Sequence, residues 1–524
     1  MDCKLSGTFP NSMVNLTRLV HLDFSYNNIS GNIPLLHNSK NLNYLDLSHN
    51  RLSGTLELSN NNLNGSIPLS WFELNWLNVL SLSSNHLTGS LQLETIFKLE
   101  NLYYLDLSYN NLSIETSHNN SSENLIPQYT TFRLASCKLK SFPYLGNQSR
   151  LLVLDLSDNQ IGGAIPSWTW NVGNGAPTYI NFSQTQLGSF QEPCAFPGLS
   201  VLDLHSNQLT GQIPVPPETA HYVDYSANNF TSSISPDIGK NLTVAYFFSV
   251  SSNKLTGTIP DSICEAIYLY VLDLSNNGFS GEIPSCLLGP IEPLAILNFG
   301  NNNLTGHVNG NFVENCGLRL LDLHGNHIEG NVPRSLSNCT MLEVMNLGNN
   351  HLTDTFPCFM NRSSNLRVLV LRFNRFYGST LCSGPRNHWP NLQIIDIALN
   401  QFTGKVPINW FVNWTGMMGS NYGAQLEINH LRYKAFDLDT LSYQDTVTLK
   451  NEEIKLKGKH HQGQKMMSLP SSDNIEWEKI FGEIGFSLGL GIVVLPLLFY
   501  KRWRRFYFEH VDHALSKIFR VHLS

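Results

Sequence analysis

From residue 1 to about 408 the chain sets short apolar pairs into a polar, amide-rich background, and the same phrase returns about every 24 residues. Leu22-Asp-Phe-Ser-Tyr-Asn27-Asn-Ile-Ser-Gly-Asn-Ile-Pro34 is one copy, and the consensus reads LDLSxNxLxGxIP. Its L-x-L core has period two. Leu45 and Leu47 therefore point one way and Tyr44, Asp46 and Ser48 the other, as in a short strand with one face turned to a core. The Asn after the strand falls where the chain must turn away, and a buried amide there can pair backbone groups that the turn leaves unmet. Gly and Ile-Pro then open the return path, where Pro stops the strand and favours short helical or polyproline segments. One copy buries little, so neighbours must stack into a solenoid.

The key Asn recurs at Asn27, Asn50, Asn61, Asn85, Asn110, Asn159, Asn207, Asn228, Asn253, Asn277, Asn302, Asn326, Asn350, Asn374 and Asn400. Cys137 and Thr185 take the slot in two weaker copies, giving about 17 repeats with spacings of 21 to 27 residues. Only the step from Asn50 to Asn61, 11 residues long, breaks the range and implies a shrunken repeat. About one residue in nine is Asn, and the ladder accounts for the bias. With 33 basic and 40 acidic residues the net charge is −7, so the basic footprint of a nucleic-acid binder is absent. A hydrophobic content of 42% excludes an acidic disordered chain.

The repeats resemble those of leucine-rich-repeat proteins, and the LxGxIP half resembles the plant extracellular subtype. The resemblance implies a solenoid of the α/β repeat class, with short parallel strands on one side and a 3-10 or irregular convex side, over residues 1–408. Cys3-Lys-Leu-Ser-Gly-Thr-Phe-Pro10 reads as the back half of a repeat, with Cys3 in the Asn slot. Met1-Asp-Cys-Lys carries no apolar leader, so the N-terminus reads as truncated. Residues 409–460 leave the repeat and resemble the island of plant receptor-like proteins, notably at Tyr443-Gln-Asp-Thr-Val-Thr-Leu-Lys450. That family normally continues with further repeats after its island. Here residues 461–479 form a polar juxtamembrane stretch instead.

Ile480 to Tyr500 is 21 residues, interrupted only by Glu483, and is long enough to cross a bilayer as one transmembrane helix. Asp473, Glu476 and Glu478 precede it and Lys501, Arg502, Arg504 and Arg505 follow, which predicts a single-pass, type I protein of the plasma membrane with residues 501–524 as its cytoplasmic tail. Those 24 residues cannot hold a kinase. Gly485 and Gly489 form a GxxxG on one helical face, with Gly482 a turn earlier, and would let a partner helix approach closely.

Three cysteine pairs sit one repeat apart: Cys264 with Cys286, Cys316 with Cys339, and Cys358 with Cys382. Adjacent strands lie within the Cα reach of a disulfide, so bridges across one rung are feasible in an oxidising compartment; free buried thiols are the alternative. Fourteen glycosylation sequons occur, at Asn15, Asn28, Asn64, Asn111, Asn119, Asn120, Asn147, Asn181, Asn229, Asn241, Asn303, Asn338, Asn361 and Asn413. Solenoid curvature would gather the outward strand positions into one concave surface, where Tyr26, Tyr44, His49, Tyr104, Tyr109, Tyr222, Phe247, His324, Arg372 and Phe373 are candidate ligand contacts.

His460-His461 lacks partners at metal-ligand spacing and reads as a solvated stretch, so no metal or cofactor is expected. No GxSxG, HExxH, P-loop or kinase phrase occurs, and Gly489-Leu-Gly491 lacks the third glycine of a nucleotide loop. The chain therefore reads as a non-enzymatic receptor that would bind an extracellular peptide, protein or glycan ligand and sit in the lipid bilayer, and the resemblance to plant receptor-like proteins implies signalling in defence or development through an adaptor or co-receptor kinase. The rivals are a soluble repeat inhibitor of secreted pathogen enzymes and a truncated, non-signalling decoy.

Overall fold

A computed structural model describes residues 5–406, apart from 25–26, 33–43, 48–49, 75–76, 117–125, 176, 193–197, 290–292, 315 and 383–388, together with Trp414, Met417 and three strands within 432–460. The L-x-L phrase folds as a three-residue strand in coil after coil. Tyr104–Asp106, Thr131–Arg133, Val153–Asp155, Tyr179–Asn181 and Val201–Asp203 pair side by side, all parallel and in register. The ladder continues through Tyr222–Asp224, Phe247–Ser249, Val271–Asp273, Ile296–Asn298, Leu320–Asp322, Val344–Asn346 and Val368–Val370 to Ile394–Asp396. Its middle residues, such as Leu202, Phe248, Leu297 and Leu321, are fully buried in one hydrophobic core that runs the length of the solenoid.

The Asn ladder has a fixed wiring. Asn253 Nδ2 donates to the carbonyls of Val250 (3.0 Å) and Ser251 (3.2 Å) in its own coil and of Tyr225 (3.0 Å) in the coil before, while Oδ1 accepts from Phe230 N–H at 3.0 Å. One side chain thereby pairs four backbone groups across two coils. The same pattern recurs at Asn85, Asn207, Asn302, Asn326 and Asn350. Thr185 supplies one hydroxyl donor to Phe182 O at 3.0 Å. Cys137 offers a buried free thiol 3.6 Å from the carbonyls of Leu107 and Ala135.

Two features go beyond the sequence expectation. The residue before the slot turns left-handed in coil after coil, with φ of 56° at Tyr109, 55° at Gln184, 51° at Phe373 and 55° at Leu399. The x-L-x-G half then forms a second set of short parallel strands instead of opening directly into the return path: Asn64–Ser66 pairs with His86–Gln92, which pairs with Asn111–Glu115, and Thr256–Thr258 pairs with Gly278–Gly281. Its Gly also sits at positive φ, for example 85° at Gly257, where a side chain is strained. Beyond it, Pro68, Pro260 and Pro333 each precede a 3-10 helix, Leu69–Glu73, Asp261–Glu265 and Arg334–Asn338. Proline gives up no needed donor there.

The 11-residue step has a plain structural form. In Arg51–Glu57 the first residues pair with the second-set strand Asn28–Asn32, and Thr55 to Glu57 pair with Val79 to Ser81 of the concave ladder. A single strand passes from one set to the other with no convex return. His21–Asp23 and Tyr44–Asp46 pair only with each other among the described residues.

The chain divides into two units, residues 1–427 and 428–524. In the second, Arg432–Leu438, Leu441–Leu449 and Ile454–His460 form an antiparallel three-stranded sheet within the segment read as an island. The span 480–500, with Gly485 and Gly489, lies outside the described residues, as do 461–479 and 501–524. Among the described residues no helix is long and apolar enough to cross a membrane.

Candidate functional site: the concave ladder

Each three-residue strand sends its middle side chain into the core and its flanking two to the opposite face. In-register pairing turns the flanking positions into columns. The first column runs Tyr104, Thr131, Val153, Tyr179, Val201, Tyr222, Phe247, Val271, Ile296, Leu320, Val344, Val368, Ile394. The second carries Asp106, Asp155, Asp203, Asp224, Asp273, Asp322 and Asp396, with Arg133 as its one basic residue.

Much of the acidic column is explained by backbone pairing. Asp106 Oδ1 accepts from Ser108 N–H at 3.0 Å, Asp155 from Ser157 at 3.1 Å, Asp224 from Ser226 at 2.9 Å and Asp273 from Ser275 at 3.0 Å. The carboxylates hold the start of the turn as Asn does its end. Burial raises the Asp106 carboxyl above the ordinary range, against the opposing Ser108 hydrogen bonds, and raises Asp273 to about 6.

Of the ligand-contact candidates, Tyr26 and His49 lie outside the described residues and Tyr44 is described in its backbone alone. Tyr222 and Phe247 are buried neighbours on adjacent strands, stacked at 4.2 Å with 12° between planes. Tyr104 stands in the first column and Tyr109 at the left-handed turn beyond it, 36% exposed. His324 Nδ1 lies 2.6 Å from Asp322 Oδ1. Arg372 pairs with Asp396 at 3.1 Å, and its guanidinium sits 5.0 Å from the centre of the Phe373 ring, which is 47% exposed. The candidates therefore form separate groups along one ladder: Tyr104 with Tyr109, Tyr222 with Phe247, His324 with Asp322, and Arg372 with Phe373.

His205 was absent from the expected contacts although Leu-Asp-Leu-His at 202–205 repeats the phrase at 321–324. Its Nδ1 lies 2.7 Å from Asp203 Oδ1. Burial alone would lower its pKa, but the Asp203 charge and hydrogen bond outweigh that and raise it to about 9. Asp203, His205 and Asp224 are buried with ligand atoms within 4.8 Å of one another, a spacing that could hold a cation. The proton on His205 already meets the same need, and the cluster reads as an ion pair.

The six paired cysteines are joined as Cys264–Cys286, Cys316–Cys339 and Cys358–Cys382, with Cα separations of 5.8, 4.6 and 5.4 Å. Among the sequons, Asn15, Asn28, Asn64, Asn111, Asn147 and Asn303 are exposed and Asn229, Asn241 and Asn338 half-buried. Asn181 is 3% exposed, bonded through Oδ1 to Ser183 N–H. Asn361 is described in its backbone alone; Asn119, Asn120 and Asn413 lie outside the described residues.

The Leucine Rich Repeat family matches this chain at residues 18–38, 41–57, 150–172, 198–219, 268–289 and 317–339. Curated relatives point further. The Arabidopsis thaliana receptor like protein 24 is 32% identical over 492 residues, covering 92% of this chain and 50% of that protein. Receptor-like protein 54 of the same plant is 35% identical over 320 residues, covering 60% of this chain and 36% of that protein. The ladder, its second strand set and these relatives define a plant-type leucine-rich-repeat solenoid. The chain belongs to the plant leucine-rich-repeat receptor-like proteins. It spans half or less of the length of the two relatives just described.

Solved structures with the same architecture include the ectodomain of the Arabidopsis thaliana receptor kinase GASSHO1/SCHENGEN3 in complex with CASPARIAN STRIP INTEGRITY FACTOR 2, at 27% identity and a TM-score of 0.57, over 77% of this chain and 56% of that one. The Arabidopsis receptor kinase HAESA, in complex with the peptide hormone IDA and the co-receptor SERK1, matches at 26% identity and a TM-score of 0.56, over 78% of this chain and 70% of that one.

Proposed function

We propose that this chain is the ligand-binding part of a cell-surface receptor-like protein that takes an extracellular peptide on its concave ladder and signals through a partner receptor kinase. The observation that carries the reading is the uninterrupted register from Tyr104–Asp106 to Ile394–Asp396, which aligns Tyr, Phe, His and Arg side chains on one face. Solenoids present extended surfaces of this kind to partners. Of two architecturally similar receptor kinases, one is in complex with CASPARIAN STRIP INTEGRITY FACTOR 2 and the other with the peptide hormone IDA and a co-receptor. In this reading the ectodomain is non-catalytic and comprises about 17 repeats, its paired cysteines are bridged, its exposed sequons are glycosylated, and residues 480–500 cross the plasma membrane with the tail inside. A role in defence or in development fits equally.

The test is capture of a partner kinase from plant membranes. The full chain, expressed with a cleavable signal peptide, should recover a receptor kinase, and Gly485→Leu with Gly489→Leu should lower recovery several-fold without loss of membrane insertion. Equal recovery by the double variant would move the contact to the ectodomain, and no recovery by either chain would refute signalling through a kinase.

A further inference from the structure

The return path from Arg133 to Val153 carries neither a second-set strand nor a 3-10 helix. Its slot holds the Cys137 thiol in place of an amide. Aromatic rings stand there instead. Phe142 meets Phe182 at 5.3 Å and Trp168 at 6.3 Å, and Tyr144 meets Trp168 at 5.9 Å, each edge to face. Phe142 and Trp168 pack against the core, whereas Tyr144 lies outside it, 55% exposed. Directly after Tyr144 the chain makes a tight turn, closed by Gln148 N–H on Leu145 O at 3.0 Å, with Gly146 and Asn147 at its corner. The Tyr144 ring folds over that corner: a Cβ on Gly146 would stand 3.0 Å from its Oη and 3.1 Å from its Cζ. Asn147, the next residue, is exposed and opens the sequon Asn147-Gln148-Ser149. Of the six exposed sequon asparagines among the described residues, Asn147 alone has an aromatic side chain three residues before it.

Resting on the reading of this chain as an extracellular ectodomain, we propose that Asn147 carries an N-linked glycan whose first N-acetylglucosamine docks on the Tyr144 ring, so that the sugar is a structural part of this coil. A pyranose presents a face of C–H groups, and an aromatic ring presents a face of negative charge density, so the two attract and leave water together. Trp168 already holds the Tyr144 ring in place, which leaves little side-chain freedom to lose. The sugar is tethered beside it, which makes the encounter intramolecular. The corner so pinned joins three coils. Gln128 Nε2 donates to Asn147 O at 3.1 Å and Tyr129 N–H to Gln148 Oε1 at 2.8 Å from the coil before, and Gly173 N–H donates to Gln148 O at 2.7 Å from the coil after.

The experiment expresses the full chain in plant cells with a cleavable signal peptide, trims its glycans to single N-acetylglucosamine residues, and compares it with Asn147→Gln. Glycopeptide mass spectrometry reads occupancy and hydroxyl-radical footprinting reads access to the ring. Asn147 should be occupied, and Tyr144 should oxidise at least threefold more slowly than in Asn147→Gln, with Tyr103, 46% exposed, unchanged. Amide exchange over 142–150 should quicken about fivefold in Asn147→Gln. The same change should have no effect in a Tyr144→Ser background and its full effect in Tyr144→Phe, which keeps the ring. Asn147 bare while Asn64, Asn111 and Asn303 are occupied, or Tyr144 oxidised equally with and without the sugar, would overturn the inference and leave the ectodomain reading standing. So would an Asn147→Gln effect that persists in Tyr144→Ser. No sequon occupied anywhere in the chain would overturn both.

Discussion

Replacing Asn326 by Ala tests the wiring of the ladder at a site where each lost bond can be followed. Asn326 is 4% exposed. Its Nδ2 donates to Phe299 O at 2.9 Å, Leu323 O at 3.0 Å and His324 O at 3.2 Å, and its Oδ1 accepts from Leu304 N–H at 2.9 Å. The three carbonyls keep other donors after truncation: Asn302 Nδ2 at 3.1 Å, Asn350 Nδ2 at 2.9 Å and Asn301 N–H at 2.7 Å. Leu304 N–H is left stranded beside a fully buried side chain. A buried donor without a partner costs about 1–3 kcal/mol, and weakening three carbonyls adds a fraction each, so the loss is about 2–3 kcal/mol.

A long repeat array does not unfold as one two-state unit, so the assay must be local. Amide hydrogen exchange over peptides covering 299–330 should show protection falling about 30- to 150-fold, since each 1.4 kcal/mol is tenfold. Peptides three coils away should keep theirs. Asn326→Asp sharpens the test: it retains an acceptor for Leu304 but turns an anion toward three carbonyl oxygens, and should lose more than Ala. Protection within threefold of the parent in Asn326→Ala, or an Asp variant no worse than Ala, would refute the claim that the amide is needed as both donor and acceptor.

Ser232 occupies the slot of the repeat Gly at a φ of 82°, where a Cβ is strained by about 1–2 kcal/mol. Ser232→Gly should raise local stability by about 0.5 kcal/mol after the glycine entropy cost, read as a roughly twofold gain in amide-exchange protection in its own coil. For His205 the folded pKa of about 9 stands above its ordinary 6.5, so its stabilisation is complete below pH 6.5 and is lost as pH rises through 9. Asp273, raised to about 6 from 3.8, acts in the same direction at lower pH, so the local stability of these coils, read by amide exchange corrected for the intrinsic rate at each pH, should fall from acid to alkaline pH, and His205→Gln should flatten the fall between 6.5 and 9. Cys316→Ser with Cys339→Ser opens a bridge 23 residues apart in sequence and should cost about 3 kcal/mol, read by hydrogen exchange in the coils it joins.

The ladder was readable in the sequence because its chemistry admits few substitutes: an amide that donates three ways and accepts once is Asn, with Thr185 and Cys137 as partial replacements. The left-handed residue before it left no mark. Tyr109 and Phe373 adopt φ of 56° and 51° because backbone bonds across coils over-determine them, with Tyr109 N–H on Ala135 O at 2.9 Å and Phe373 N–H on Ala398 O at 3.0 Å. Any side chain can stand there, so composition carries no signal. The second strand set is hidden for another reason. Several of its strands, such as Asn303–Leu304 and Thr256–Thr258, run only two or three residues and pair between coils, too short for a period to appear in one copy. His205 was a different kind of omission, since its phrase matched that of His324 and only the stacking of coils brings Asp224 beside it.

The short step at Asn50 to Asn61 shows which parts of a coil the architecture can lose. Arg51–Glu57 keeps the second-set pairing on Asn28–Asn32 and the concave pairing on Leu77–Ser81, so both ladders retain a strand although the convex return is gone. The loss falls on the Asn wiring. In a regular coil Oδ1 accepts from the amide two residues beyond the previous slot, as Asn85 accepts from Leu63 N–H at 3.0 Å. Asn61 Nδ2 still reaches Leu58 O at 2.9 Å and Ser59 O at 3.0 Å, but its buried Oδ1 meets no donor among the described residues. One buried acceptor without a partner costs about 1–3 kcal/mol. A globular domain that lost half of one layer would lose its core with it, whereas here Leu56 and Leu58 stay buried against the next coil. Each coil contacts only its neighbours, so the damage stops one coil away, and a chain of such repeats can carry a deletion that shortens the solenoid without ending it.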